Sequence, residues 1–340
     1  MKILIIKLGA LGDVVRTSYF LHGLRQKSGT ATHITWVTSE RALPLLKYYP
    51  NIDTLLTLEE ITNKKVHWGN QEFDWIISLD DELQACGLLK GITWKRLTGA
   101  YLKNNRVDYS EDAAPWFDMG LISHLGKEKA DSLKKLNEEA HDQIFAKILD
   151  IKVSGPKFYN DPSATKSAIE LLEGNAGRVV GLNLSAGNRW LNKRLGQAEA
   201  ERLIRKLINS DFPLLLLGGI DDAAYNEWLS RETGCPVLPF VSLEVFAAVI
   251  GQLKAIITAD TLAMHLAIAQ QIPSVSFFAP TSAAEINTFG KGLKIASTAP
   301  DYCNYKSNAD NSTITAERIF EAFMQLFKAN HSESLINDQR

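Results

Sequence analysis

Short apolar runs alternate with helix-length segments along most of this 340-residue chain, and the alternation occurs in two series. Apolar runs separated by helices predict parallel strands that are covered on both faces of a sheet. The chain is therefore expected to adopt an α/β fold with two doubly wound sheets. The predicted strands are 3–6, 33–37, 54–58 and 74–79 in the first series, and 179–184, 213–217, 255–258 and 274–278 in the second.

Helices are expected between and after these strands, and the last one is followed by a polar tail. The predicted helices are 14–26, 40–47, 82–89, 131–149, 164–172, 197–209, 222–232, 243–251, 262–269 and 316–328.

The length of the chain and a change in amino-acid composition near residue 160 predict two domains, because a single core seldom extends over a chain of this size. Glycine and proline concentrate where the first series ends. We expect a Rossmann-like domain at 1–160, a linker at 161–177, a second Rossmann-like domain at 178–312, a final helix at 313–329 and a polar tail at 330–340.

Charge and cysteine content exclude several classes of protein. The net charge of −2 does not indicate nucleic-acid binding, and the three widely separated cysteines form neither a CxxC pair nor a disulfide framework. The apolar run Ile3–Ile6 is too short for the core of a signal peptide, so a cytoplasmic protein is expected.

The first strand runs into a glycine-containing turn, residues 7–13, which ends at Asp13. The carboxyl end of a strand in such a sheet lies at the ligand crevice, so Asp13 is a candidate catalytic carboxylate. An aspartate at a helix start is equally a favoured N-cap, and both interpretations stay open from this motif. Lys7 and Gly12, in the same turn, are candidate donor contacts.

A second motif, LSAGNRWLNKRL, follows the first strand of the second series. Ser185 and Gly187 are small enough for backbone amides to approach an anion, and Lys193 supplies a point charge for phosphate. The alternative is that Lys193 and Arg194 are solvated charges before a helix.

The segment LLLLGGIDD is a buried strand that ends in paired glycines. Gly219 permits close approach of a ligand, and Asp222 or Asp221 could hold ribose hydroxyls. A tight turn followed by an N-cap explains the same pattern.

The segment ITADTLAMHLA places Asp260 and Thr261 at a helix start and His265 one turn inside. Asp260 is expected to cap the helix, while Thr261 and the exposed amides bind phosphate. His265 is either a further contact or a packing residue.

Other common motifs do not occur. The chain has no GxGxxG dinucleotide motif, Walker lysine motif, DxD spacing, HExxH or GxSxG. No metal site and no cofactor is therefore expected.

Together these motifs resemble glycosyltransferase family 9, the ADP-heptose:lipopolysaccharide heptosyltransferases. The resemblance rests on KLGALGDVVRT, AGNRWLNKR, the LLGG turn and ADTLAMHLA with PSVSFFAPT, in order along both halves. It implies a GT-B architecture, with an N-terminal acceptor domain and a C-terminal nucleotide-sugar domain facing across a cleft, and a final helix that crosses back. Two positions depart from the family pattern: Leu262 stands where many members have glycine, and Cys303 alone remains of a paired-cysteine region.

The resemblance also implies roles for single residues. Asp13 matches the proposed general base, Lys193 the lysine on the donor diphosphate, and Ser185 a neighbour of the same phosphates. Asp222 matches the acid near the nucleoside, with Asp221 an equally arguable register. Asp260, Thr261 and His265 match the phosphate-side helix start.

The implied reaction is an inverting, metal-independent transfer of heptose from ADP-heptose to a lipid-linked lipopolysaccharide acceptor, with possible peripheral contact at the inner membrane. Lys90, Lys95 and Arg96 lie in a stretch, 88–107, that contains no acid and is a candidate acceptor-binding patch; a solvated surface is the alternative. Competing functions are transfer of another nucleotide sugar to a different glycan, a non-catalytic sugar-nucleotide-binding relative, and an oxidoreductase that would use Glu40 as its ribose acid.

Overall fold

The computed structural model describes residues 1–29, 31–188, 190–306 and 308–337, with side chains described up to residue 328 in the last helix. The chain divides into two compact units, Met1–Tyr159 and Asn160–Arg340. Both units are built on sheets of mainly parallel strands, which confirms the α/β class predicted from the sequence.

The first unit contains a six-stranded sheet with strand order β3-β2-β1-β4-β5-β6. The first five strands run parallel, and β6 is antiparallel to β5. The strands are β1 Lys2–Ile6, β2 His33–Thr38, β3 Thr54–Thr57, β4 Glu72–Ser78, β5 Thr93–Lys103 and β6 Arg106–Tyr109. The helices are α1 Leu11–Thr17, α2 Phe20–Ser28, α3 Leu58–Thr62, α4 Leu83–Gly87, α5 Ala114–Phe117, α6 Lys127–Leu136 and α7 His141–Leu149.

Three predicted helices of this unit differ from the structure. The helix expected at 14–26 begins earlier and is divided into α1 and α2. The helix expected at 40–47 is only a 3₁₀ turn at Leu43–Leu45, because Pro44 removes a backbone donor. The helix expected at 131–149 is two helices, since the backbone of Asn137 is extended after α6.

The hairpin of β5 and β6 was not predicted from the sequence. Strand β5 pairs with β4 until Gly99 lies opposite Ser78, and its remaining residues pair with β6 beyond the end of β4. The turn consists of Asn104 and Asn105, both with positive φ, a conformation that asparagine tolerates in tight hairpin turns. The hairpin tip therefore extends past the carboxyl edge of the parallel sheet.

The second unit contains a fully parallel sheet with strand order β11-β10-β9-β7-β8. Four strands were predicted, and β11 was not. The strands are β7 Val180–Asn183, β8 Leu214–Leu216, β9 Ala255–Ala259, β10 Ser274–Phe278 and β11 Gly292–Ala296. The helices are α8 Pro162–Leu171, α9 Gln197–Ile208, α10 Ala223–Thr233, α11 Leu243–Gly251, α12 Leu262–Ala269 and α13 Ala316–Asn337.

Two helices border the core of the second unit. The predicted linker, 161–177, carries α8, close to the helix expected at 164–172, and α8 packs on α11 within the second unit. The final helix is α13, and its residues Ala316, Ile319 and Phe323 are part of the core of the second unit. The predicted tail at 330–340 is helical as far as Asn337, and residues 338–340 lie outside the described residues.

Candidate functional site

The turn after β1 lies at the carboxyl edge of the first sheet and is fixed by a buried acid. The Asp80 carboxylate accepts hydrogen bonds from the Lys7 ammonium group and from the Leu8 amide. The Ser39 hydroxyl donates to the Leu8 carbonyl oxygen over 2.7 Å. These contacts hold the backbone that leads into α1.

Lys7 was predicted as a donor contact, and in the structure it fixes this turn. Its side chain is buried in an ion pair with the Asp80 carboxylate. Gly12 is likewise buried, as the second residue of α1. In this structure both residues shape the turn.

Asp13 is the third residue of α1, and the N-cap of that helix is Ala10. The capping interpretation of Asp13 is therefore wrong. Its Oδ1 lies 2.9 Å from the Arg16 guanidinium group one turn later, and about a third of the Asp13 side chain is exposed. The Arg16 guanidinium also lies 5.4 Å from the centre of the Trp116 ring, which restricts its position.

In the second unit, Lys193 and Asp260 form a largely buried ion pair. The Lys193 Nζ atom lies 2.7 Å from Asp260 Oδ2 and 3.0 Å from the Asp260 carbonyl oxygen, and Thr281 Oγ1 donates to Oδ2 over 2.6 Å. Burial by itself raises the pKa of this carboxyl group. The charges of Lys193 and His265 and the hydrogen bonds from Lys193 and Thr281 outweigh burial, and lower the pKa of Asp260 to about 2.

The start of α12 is capped by Thr261 and not, as predicted, by Asp260. The Thr261 hydroxyl accepts a hydrogen bond from the Ala263 amide over 3.2 Å and donates to Asn183 Oδ1 over 3.2 Å. Asp260 instead precedes the helix and holds Lys193. The Lys193 ammonium group is thus held by hydrogen bonds to Asp260, next to the N-terminus of α12. A cation near exposed helix amides is an arrangement that suits a phosphate group. His265 is buried on the same helix.

Asp222 is buried, and its carboxylate braces two glycine turns. Oδ1 accepts a hydrogen bond from the Gly187 amide over 2.8 Å, and Oδ2 accepts one from the Gly219 amide over 3.1 Å. Asp221, by contrast, is exposed. Of the two registers left open by the sequence, the contacts of Asp222 are those of a structural brace, and Asp221 is the acid presented to solvent.

Ser185 is also buried, and its hydroxyl accepts a hydrogen bond from Arg194 Nε over 2.9 Å. The Arg194 guanidinium packs over the Tyr225 ring, 4.8 Å from its centre. Ser185 thus anchors Arg194, a contact that differs from the predicted position beside a phosphate.

The fold brings most of the predicted residues of the second half to one edge. Ser185 and Gly187 follow β7, Gly219 follows β8, and Asp260 follows β9. Asp80 was not among the predicted site residues, although its signal was available, since it comes directly after the predicted strand 74–79. Thr281 lies in the segment Phe278-Ala279-Pro280-Thr281, which follows the predicted strand 274–278 and was expected to line the same crevice.

The predicted acceptor patch is largely neutralised by acids from neighbouring segments. Lys95 lies 2.6 Å from Asp74 of β4, and Arg96 lies 3.1 Å from Asp112. Arg96 also packs over Trp75, 4.2 Å from the ring centre. Lys90 is exposed. The stretch 88–107 contains no acid, but the fold supplies these carboxylates from outside it.

Within the described ranges, no group of three or more histidine, cysteine, aspartate or glutamate side chains is placed to hold a metal ion. No helix in the described part of the chain is both long and apolar enough to cross a membrane.

Two α/β units with parallel sheets, and candidate ligand residues at the carboxyl edges of the strands, are typical of GT-B glycosyltransferases. The model of glycosyltransferase family 9 (heptosyltransferase) matches residues 67–314, and the chain belongs to this family. It is therefore a glycosyltransferase. The matched range contains Lys193 and Asp260 but begins after the turn that carries Asp13.

Curated relatives cover more of the chain. Lipopolysaccharide heptosyltransferase 1 of Campylobacter coli is 23% identical over 96% of this chain and 99% of its own length. The enzyme of the same name from Pseudomonas aeruginosa is 22% identical over 86% of this chain and 82% of its own length.

Solved structures support the fold. The family 9 glycosyltransferase from Veillonella parvula has a TM-score of 0.72 and 19% identity, over 96% of both chains. The E. coli heptosyltransferase WaaC with ADP has a TM-score of 0.63 and 17% identity, over 96% of this chain and 100% of its own.

Proposed function

We propose that this protein transfers a heptose from ADP-heptose to a lipid-linked acceptor of the lipopolysaccharide inner core, with inversion and without a metal ion. The curated relatives are named lipopolysaccharide heptosyltransferase 1, and one structural neighbour was solved with ADP. The proposal places the protein in the cytoplasm, in peripheral contact with the inner membrane where its acceptor is held.

The observation that carries the proposal is the Lys193–Asp260 pair. An ammonium group held 2.7 Å from a carboxylate whose pKa is about 2 keeps a fixed position. In the proposal, Lys193 and the amides at the start of α12 stabilise the charge that develops on the departing diphosphate. Asp221 holds the ribose, while Gly187 and Gly219 let the nucleotide approach the backbone.

On the acceptor side, Asp13 is proposed as the general base. The acceptor hydroxyl attacks the anomeric carbon on the face opposite the leaving ADP, and Asp13 accepts the hydroxyl proton. Arg16, 2.9 Å away, fixes the carboxylate and stabilises its negative charge. A positioned base of this kind contributes about 10²–10⁴-fold to the rate.

A thermal-shift screen with ADP, UDP and GDP tests the donor. A nucleotide present at a hundred times its Kd and selective for the folded state adds about 2.7 kcal/mol to the free energy of unfolding. ADP is expected to give the largest rise in Tm, and Lys193→Ala is expected to abolish most of it. A larger rise with UDP or GDP would replace ADP-heptose by another nucleotide sugar and contradict the proposal.

The reaction itself is tested by incubation with ADP-heptose and a heptose-deficient lipopolysaccharide acceptor. Mass spectrometry of the acceptor is expected to show the added heptose, and NMR of the product is expected to show an anomeric configuration opposite to that of the donor. The same assay without added divalent cation and with a chelator is expected to give the same rate. A rate that depends on the divalent cation would refute the proposal that transfer needs no metal ion.

A further inference from the structure

The tip of the β5–β6 hairpin forms one wall of a cationic cavity in the first unit. The cavity has a volume of about 500 Å³. Its lining contains two permanent cations, one histidine and one acid, so positive charge predominates. The lining residues are Lys103, Asn104, Arg106, Val107, Asp108 and His124.

Asp108 is the single acid among the residues that line the cavity, and it interacts with Lys103 and His124. Asp108 lies 2.7 Å from His124 Nε2 and 3.6 Å from Lys103 Nζ. Burial tends to raise the pKa of Asp108, but the Tyr109 amide, His124 and Lys103 outweigh it and lower the pKa. Among the ion pairs of the described residues none includes Arg106, which is exposed. The cavity therefore has an excess of positive charge.

An ordered loop holds exposed leucines beside this cavity. The His124 ring stacks on Tyr109 at 4.1 Å, and the His124 amide donates to the Tyr109 hydroxyl over 3.0 Å. On either side of this anchored residue, Leu121 is 94% exposed and Leu125 is 49% exposed. Leucines this accessible leave apolar surface in water, and its transfer into an apolar phase is favourable by about 25 cal/mol per Å².

The charge around the leucines indicates what covers them. Helix α6 begins two residues after Leu125, at Lys127, and contains four lysines against Glu128 and Asp131. Exposed leucines on a segment that lies, along the chain, between the cations of the hairpin and the lysines of α6 match the boundary of an anionic bilayer, where leucines enter the acyl region and cations meet headgroup phosphates. The whole chain has a net charge of −2, so this local excess of cations is a property of one surface.

We propose, resting on the membrane contact of the proposed function, that Lys103, Arg106, His124, Leu121 and Leu125 form a docking surface for an anionic phospholipid bilayer, with the headgroup phosphate in the hairpin cavity. We call these five residues the hairpin surface. The hairpin extends past Ser78, and Ser78 is opposite Ile6 at the end of β1. Docking there therefore brings the bilayer to the sheet edge that carries the Asp13 turn.

Vesicle co-sedimentation of the full chain, without donor or acceptor, tests this surface. Wild type is expected to bind vesicles of phosphatidylcholine with phosphatidylglycerol, and not vesicles of phosphatidylcholine alone. The double variant Lys103→Gln/Arg106→Gln is expected to weaken binding roughly 25-fold, about fivefold for each charge. The variant Leu121→Asn/Leu125→Asn is expected to weaken it about tenfold, because less apolar surface enters the bilayer.

A matched control removes a lysine and an apolar side chain from another surface. Lys166 and Ile169 lie on α8 and are exposed, Ile169 by 46%. Lys166→Gln/Ile169→Asn is expected to bind vesicles like wild type. Thermal unfolding of every variant checks that the fold is intact.

The outcomes distinguish a lipid-docking surface from a site for free phosphate. They also distinguish failure of this proposal from failure of the proposed transfer reaction. Binding unchanged in either hairpin variant, or weakened equally in the control, would overturn the proposal. So would loss of vesicle binding on adding inorganic phosphate at constant ionic strength, which would make the cavity a phosphate site. Heptosyl transfer is not measured in this experiment, so its failure leaves the vesicle result unaffected.

Discussion

The Asp13 carboxylate lies 2.9 Å from the Arg16 guanidinium within the first two turns of α1. Because Ala10 and not Asp13 is the N-cap, replacing Asp13 by asparagine does not remove a cap. Asparagine retains a side-chain oxygen that can accept a hydrogen bond from Arg16.

The free energy of unfolding of Asp13→Asn is therefore expected to lie within about 1 kcal/mol of the wild-type value, while kcat falls by about 10²–10⁴-fold. Urea unfolding and steady-state transfer assays measure the two effects. The control is Asp53→Asn, which removes a carboxylate paired with Arg25 and exposed to a similar extent, 31% against 33%. Retention of more than about a tenth of wild-type kcat would exclude Asp13 as the general base.

The Lys193–Asp260 pair is expected to make stability depend on acid pH. The pKa of Asp260 is about 2 in the folded protein, against 3.8 ordinarily, so its stabilisation is complete above about pH 5 and is lost as the pH falls through the folded value. Between pH 6 and pH 3, the stability advantage of wild type over Asp260→Asn should shrink by about 1 kcal/mol.

Urea unfolding at both pH values measures this change, with Asp211→Asn, an exposed carboxylate of the same unit, as control. At pH 6, Asp260→Asn is expected to cost about 3 kcal/mol, because Lys193 remains buried without its carboxylate. An advantage that stays constant with pH would contradict the ion pair.

Substitutions at Asp222 and Asp221 are expected to have different effects, the first on stability and the second on donor binding. Asp222→Ala leaves the amides of Gly187 and Gly219 without their acceptor, and should cost about 1–3 kcal/mol in the free energy of unfolding. Asp221→Asn, on the exposed neighbour, should change stability by less than about 0.5 kcal/mol and raise KM for the donor. If Asp221→Asn leaves KM unchanged, the ribose contact assigned to it is wrong.

Gly99 is expected to tolerate no side chain, and it decides where the hairpin leaves the parallel sheet. Its φ is +110°, and an added Cβ would lie 1.9 Å from the Ser78 carbonyl oxygen, which is backbone and cannot yield. Gly99→Ala should cost about 3 kcal/mol or more.

The control for Gly99 is Gly91→Ala. Gly91 also has positive φ, but it has open space around its Cβ position, so only the conformational cost of about 1 kcal/mol applies. Thermal unfolding of both variants compares them. Equal losses of stability would mean that the clash with Ser78 is relieved by movement of the strand.

The local sequence pattern was sufficient to predict the position of a strand where the strand is apolar throughout and regular. Strand β1 and strand β10 lie where the apolar runs predict them, because β-branched and aromatic residues buried on both faces suit only a central parallel strand. Where local signals compete, the prediction failed. Pro44 reduced an expected helix to one turn, and the Asn104–Asn105 turn, a usable hairpin signal, was interpreted as part of a basic stretch.

The amino-acid sequence alone determined the α/β class, the family and the order of the candidate motifs, because these depend on apolar periodicity and on residues close together in the chain. Only the tertiary structure decided how the charged side chains are paired. Lys7 pairs with Asp80, Lys95 with Asp74 and Lys193 with Asp260, each across at least 21 residues. The Asp222 carboxylate accepts hydrogen bonds from the amide of Gly187, 35 residues away, and from that of Gly219, 3 residues away. Side-chain pairing depends on which strands become neighbours in the sheet, and that is settled by burial of the whole core.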